Sequence, residues 1–166
     1  MLNRRSFVAG LLAMPVSRVA AKETRVSTMS EADADALART MWGEARGEHV
    51  VGQIAVAHVV FNRVASPLPL FERDVTIRRA CLRGDQFTCW EHHRVMRELR
   101  YGSDEYEAFR AKAVHALWLW RLGKDYSNSA TNYVRVSRHM PRWTRKMHRV
   151  ARIGEHVFFS PRKGIV

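Results

Sequence analysis

Two glutamates stand one helical turn apart in the stretch WGEARGE, residues 42–48, directly before the apolar run VVGQIAVAHVVFNRV. On a helix, Glu44 and Glu48 would present their Cβ atoms about 5–6 Å apart on one face. Carboxylates that close suggest acid–base chemistry at an acetal, because retaining glycosidases hold a pair about 5–5.5 Å apart. Such a pair must flank the scissile bond, however, and neighbours on one helix face lie side by side. One glutamate is therefore expected to act as the acid, with the other in support. The plainer alternative is a solvated Glu–Arg–Glu cluster closing a helix, which is common on protein surfaces and contributes little.

The elements that would position these residues can be read from the flanking pattern. Ser30 fits an N-cap, with Asp33 in the capping-box position, and Ala34, Leu37, Ala38, Met41, Trp42 and Ala45 follow helical spacing. Gly47 is well placed to end that helix. Val50 to Val64 predicts a second helix, apolar nearly all round and so buried at the centre. SPLPLFERD predicts a loop, Asp74 to Leu82 a short helix, and RGDQFTCW a turn followed by an extended segment. Ser103 can cap a long helix that Gly123 stops. Beyond Asp125, ATNYVRVS alternates like a strand, MPRWTRKM reads as a helical turn or loop, and ARIGEHVFFS as a hairpin. The expected fold class is a helix-rich α+β domain with a small β element over residues 30–166.

With 166 residues the chain can bury one sizeable core, and an apolar content of 46% excludes a disordered composition. Its formal charge is +12, which points to an anionic partner. Arg4 and Arg5, the apolar stretch Phe7 to Val16 and the small residues at Val19-Ala20-Ala21 predict a removable export signal over 1–21, with a twin-arginine-like start, followed by a polar linker over 22–29. Removing the signal takes away Arg4, Arg5 and Arg18 and no acid, so the exported chain stays strongly basic. Export makes a disulfide between Cys81 and Cys89 feasible if a turn at Gly84-Asp85 folds them together; two buried free thiols are the alternative. No spacing of Cys and His suggests a metal site, and no cofactor is expected.

ARTMWGEARGEHVVGQIAVAHVVFNRV resembles the opening block of the SleB/CwlJ-like cell wall hydrolase family, and further blocks follow in order. QFTCW (Gln86 to Trp90) is similar to the family's Gln-Phe-Ser segment. ATNYVRV resembles its Gly-Ala-x-x-Tyr strand, with Ser129 in place of the glycine and Asn132 where histidine is frequent. PRW and IGEHVFF (Ile153 to Phe159) resemble its closing blocks.

The resemblance implies a lysozyme-like or lytic-transglycosylase-like fold. It also implies that one glutamate, which falls on Glu44, serves as general acid/base against the β-1,4 bond between N-acetylmuramic acid and N-acetylglucosamine of peptidoglycan. By family position, Gln86 and Tyr133 would bind sugar hydroxyls or N-acetyl groups. Asn132, Trp143 and Arg46 are weaker candidates for the cleft, Glu48 is expected in support, and Gly43 is expected to let substrate approach. The partners implied are glycan strands and the anionic cell envelope in or near the periplasm, with no nucleic acid, acting as a monomer. The rival reading, a basic binding protein for nucleic acid or membranes, draws on the charge and on MPRWTRKMHRVAR. A domain that keeps the fold but only binds the wall is a third, and within the enzyme reading attack by water would make a muramidase, with Asp85 or Glu48 as the second carboxylate it needs.

Overall fold

The computed structural model describes residues 26–137 and 139–162, with the backbone alone for 93–95. The expected export signal lies outside the described residues. Val26, within the expected polar linker, is fully buried and belongs to the core, so packed structure already includes the end of that stretch.

Helix α1 spans Glu31–Ala45. Its capping box forms as expected: the Ser30 hydroxyl accepts from the Asp33 N–H, and the Asp33 carboxylate accepts from the Ser30 N–H. Asp33 also accepts the N–H of Arg78 at 2.7 Å, tying this helix start to α3 (Ile77–Cys81). The helix ends at Ala45 with Arg46 as a right-handed cap, and Gly47 does not adopt the left-handed conformation that would require a glycine.

Helix α2 (Val50–Ala65) is buried from Gly52 through Phe61 and again at Arg63 and Val64. One side faces α1 and α5 (Asp104–Arg121) through Ile54, Ala57, Val60, Phe61 and Val64. Its other side meets the sheet, where Ala55 and Val59 pack on Ala130 and Phe158. A helix apolar all round is what a central element between two layers requires. His58 is a satisfied core histidine: Nδ1 accepts the Tyr126 N–H at 2.9 Å and Nε2 donates to the Ala116 carbonyl at 3.1 Å. Helix α5 starts at the Ser103 cap and stops before Gly123, whose φ is +74°.

The sheet has three antiparallel strands in the order β1-β3-β2: β1 is Asn132–Arg135, β2 is Met147–Ile153 and β3 is His156–Pro161. The predicted hairpin is β2–β3, turning at Gly154 with φ +56°. Three expectations need correction. Thr88–Glu91 is a 3-10 helix, not an extended segment, and Pro69–Phe71 is another inside the expected loop. A short helix, α4 (His93–Glu98), follows where none was predicted.

The possible Cys81–Cys89 bridge is not formed; both are free, buried thiols. Each lies against a different turn of α1, Cys81 beside Thr40 and Cys89 against Gly43 and Glu44. Complete burial pushes the Cys81 thiol up to about 12, and burial beside the Glu44 carboxylate pushes Cys89 up as well.

Candidate active site

The two glutamates of the opening motif leave the helix end in different company. Glu44, half-buried in the last turn of α1, accepts the backbone N–H of Cys89 at 2.8 Å and the Thr88 hydroxyl at 3.4 Å on Oε1. Its Oε2 accepts the Tyr133 hydroxyl at 3.1 Å. Donors from two elements thus fix the carboxylate, one from the Thr88–Glu91 turn and one from β1.

Gly43 makes the first of these possible. A Cβ there would sit 2.4 Å from Cys89 Cβ, closer than real side chains approach, so only glycine lets the turn close onto the helix. The expectation that Gly43 clears a path for substrate is replaced by this packing role.

Tyr133 is fixed from several sides. It pairs with Phe158 across the β1–β3 ladder, and its ring lies 5.1 Å from His156, edge-on at 89°, and 6.2 Å from Phe87. Burial, reinforced by the Glu44 carboxylate, pushes its phenol well above the usual tyrosine range, so the hydroxyl remains a donor.

Glu48 follows the end of α1 and faces the β2–β3 turn. Its carboxylate accepts the Glu155 N–H at 3.3 Å on each oxygen and stands 3.4 Å from His156 Nδ1. That approach lacks hydrogen-bond alignment, so the buried Nδ1 remains unpartnered. Burial lowers the His156 pKa, opposed by the charge of Glu48. Gly154 makes room for the carboxylate, since a Cβ there would lie 1.8 Å from Glu48 Oε2.

The Tyr133–Glu44 hydrogen bond joins residues that line two different hollows. A cleft of about 670 Å³ is lined by Gln86, Asn132, Tyr133 and Trp143 among mostly apolar walls. A smaller hollow of about 340 Å³ holds Glu44, Arg46 and Glu48 together with Arg135, Glu155 and His156. Every substrate-binding residue expected from sequence therefore lies in one or the other. Within them, Trp143 is exposed and stands edge-on to Phe159 at 5.5 Å, and Asn132 Oδ1 accepts the Thr131 hydroxyl at 3.0 Å. Gln86 donates to the Asp85 carbonyl at 3.3 Å. Arg46 lays its guanidinium over the Trp42 ring, 4.4 Å from its centre, and among the described residues no ion pair joins it to either glutamate.

Sequence reading missed the Cys89 amide, the Thr88 hydroxyl and the Glu155 amide. Backbone donors carry no residue-type signal. Only Gly43 and Gly154, small residues where the chain closes on a carboxylate, hinted at them.

A small sheet packed on a buried central helix, with the cleft beside it and a pinned carboxylate at the end of α1, defines a helix-rich α+β domain. The chain belongs to the Cell Wall Hydrolase family, whose model matches residues 47–159, starting just beyond Glu44. A spore cortex-lytic enzyme of Halalkalibacterium halodurans is 33% identical over 129 residues, covering 78% of this chain and 35% of that protein. The chain thus spans about a third of the length of this curated relative. The catalytic domain of the Bacillus cereus SleB protein superposes with a TM-score of 0.63 at 24% identity, over 81% of this chain and 94% of that one. The catalytic domain of the germination-specific lytic transglycosylase SleB from Bacillus anthracis gives 0.61 at 24% identity, over 81% and 98%. At such identity the two structures speak for the fold.

Proposed function

We propose that this protein cleaves the glycan strands of peptidoglycan at the β-1,4 bond between N-acetylmuramic acid and N-acetylglucosamine, as a lytic transglycosylase with Glu44 as its single general acid/base. Family membership and the cortex-lytic relative support the substrate class. The observation that carries the mechanism is the difference in how the two glutamates of the smaller hollow are held: Glu44 is bonded to Tyr133, a residue of the larger cleft's lining, while Glu48 is engaged by the β2–β3 turn.

In this reaction Glu44 protonates the glycosidic oxygen as the C1–O bond breaks. The muramic acid C6 hydroxyl attacks C1 and returns its proton to Glu44, leaving a 1,6-anhydromuramic end. An internal nucleophile has so high an effective molarity that no second carboxylate is needed to activate water. Tyr133 and the Cys89 amide hold Glu44 in place through both steps. The protein would work exported, in the periplasm or envelope, which the sequence of residues 1–21 supports.

Purified sacculi digested with the protein and read by mass spectrometry test this. Anhydromuramic ends are the expected products, and Glu44→Gln is expected to lose about 10³-fold in rate, the scale of a general acid. Reducing ends would instead mean attack by water, with Asp85, which lines the cleft, or Glu48, which shares the smaller hollow with Glu44, as the second carboxylate. Full activity in Glu44→Gln would remove the site assignment.

A further inference from the structure

The far end of the larger cleft, away from Glu44, carries charge that the glycan backbone alone does not call for. Residues 142–146 form a 3-10 helix, in which side chains three apart eclipse. Trp143 and Lys146 therefore share a face, and both line the cleft. The last pair of the β2–β3 ladder is Met147 with Pro161, so Lys146 and Arg162 leave the sheet side by side. Arg162 also lines the cleft.

Two like charges flanking the last ladder pair repel. Among the described residues, no carboxylate pairs with either of them. Among the described residues, Arg63 is the remaining cation in the cleft wall, buried and already matched by Asp74 at 2.9 Å, and Asp85 is the single acid in the lining. The walls between are apolar, including Leu68, Pro69, Phe71, Pro141 and Met147. An apolar trough ending in two unmatched cations suits a short chain with apolar side groups and free carboxylates better than it suits a bare sugar.

We propose that Lys146 and Arg162 bind the carboxylates of the stem peptide carried on the muramic acid lactyl group, so that this enzyme selects peptide-bearing glycan over stripped glycan. The inference rests on the peptidoglycan reading above and adds a substrate preference to it. Trp143 forms the platform between the sugar and the two cations.

The test compares kcat/KM of the full chain on soluble peptide-bearing glycan strands and on the same strands freed of peptides by an amidase. The wild type is expected to favour the peptide-bearing strands on the order of three- to tenfold, as two partly exposed charge pairs can supply. In Lys146→Ala/Arg162→Ala that ratio falls to about one, through KM more than kcat. Arg121→Ala/Lys124→Ala removes the same charge from the end of α5, outside both hollows, and is expected to keep the wild-type ratio. Equal wild-type rates on the two substrates, a retained preference in the first variant, or an equal loss in the second would each overturn the stem-peptide site while leaving the cleavage reading intact. A wild type that cleaves neither substrate would overturn both.

Discussion

Glu44 and Glu48 have the same residue type, the same motif and neighbouring positions, yet the fold treats them differently. The corner around Glu44 is closed by the Thr88–Glu91 turn and by β1, whose Tyr133 lines the large cleft. The corner around Glu48 is closed by the β2–β3 turn, with a buried imidazole beside it. The first pins the proposed acid between two elements; the second fastens the sheet to the helical layer. What separates the proposed acid from the brace is the identity of the facing element, which lies 45 residues away for Cys89 and 107 for Glu155.

Each corner depends on one glycine, and the two can be broken separately. In Gly43→Ala the new methyl meets Cys89 Cβ at 2.4 Å, an atom held by the backbone of its turn. The turn must move, and the Cys89 N–H leaves Glu44. We expect a loss of roughly 2–3 kcal/mol of stability, typical of overpacking, and at least about tenfold in rate beyond that expected from unfolding. In Gly154→Ala the methyl meets the end of the Glu48 side chain, which can swing out, so the main cost is a non-glycine residue at φ +56°. That is about 1–2 kcal/mol, with a much smaller effect on rate. Thermal melts and sacculus digestion of both variants measure the difference; equal losses of activity would erase the distinction between acid and brace.

Tyr133→Phe sharpens the comparison further. It keeps the ring against Phe158 and His156 but removes the donor to Glu44 Oε2. The expected loss is about tenfold in kcat with KM nearly unchanged, as for one hydrogen bond to a charged group. A variant as active as wild type would leave the Thr88–Glu91 turn alone to hold the acid.

The brace has its own signature in pH. Burial lowers the His156 pKa from its ordinary value of 6.5, so the unfolded chain takes up a proton more readily than the folded one. Stability from this group is therefore full above about pH 6.5 and is lost as the pH falls through the depressed folded value. Because the Glu48 charge opposes the shift, Glu48→Gln is expected to steepen the fall in melting temperature between pH 7 and 5. His156→Gln is expected to flatten it. Identical slopes in all three proteins would mean that the pair is not felt by the fold.

These contrasts also mark what the sequence could reveal. The helices with caps and stop signals were legible: Ser30 with Asp33, Ser103, and Gly123 all sit where expected. The central helix was legible from apolar residues all round, and the hairpin from alternation. The Thr88–Glu91 turn was not, because threonine, cysteine and tryptophan favour strands locally and it is packing onto Gly43 that coils them. The left-handed residue in the preceding turn is Asp85, at φ +59°, although Gly84 is adjacent. Glu44 stood out through its motif, but its donors are backbone and tertiary and left no pattern in the chain.

One departure from the resembled family can be read in the structure. Ser129, where the family strand has glycine, lies at φ +59°, next to Asn128 at φ +55°. Asp125 stabilises this conformation: its Oδ2 accepts the Ser129 N–H at 2.7 Å and an Asn62 amide hydrogen at 2.8 Å, while Oδ1 accepts from Ser127. The loop leads directly into β1 and so carries Tyr133 to Glu44. Serine at such a backbone angle costs about 1 kcal/mol relative to glycine, offset in part by the greater freedom glycine has when unfolded. Ser129→Gly is therefore expected to raise stability by up to about 0.5–1 kcal/mol without changing the rate, since the Asp125 contact is to the backbone N–H and survives the substitution. A fall in stability on chemical denaturation would mean that the serine side chain itself holds the loop, and that Tyr133 is positioned by more than the Asp125 network.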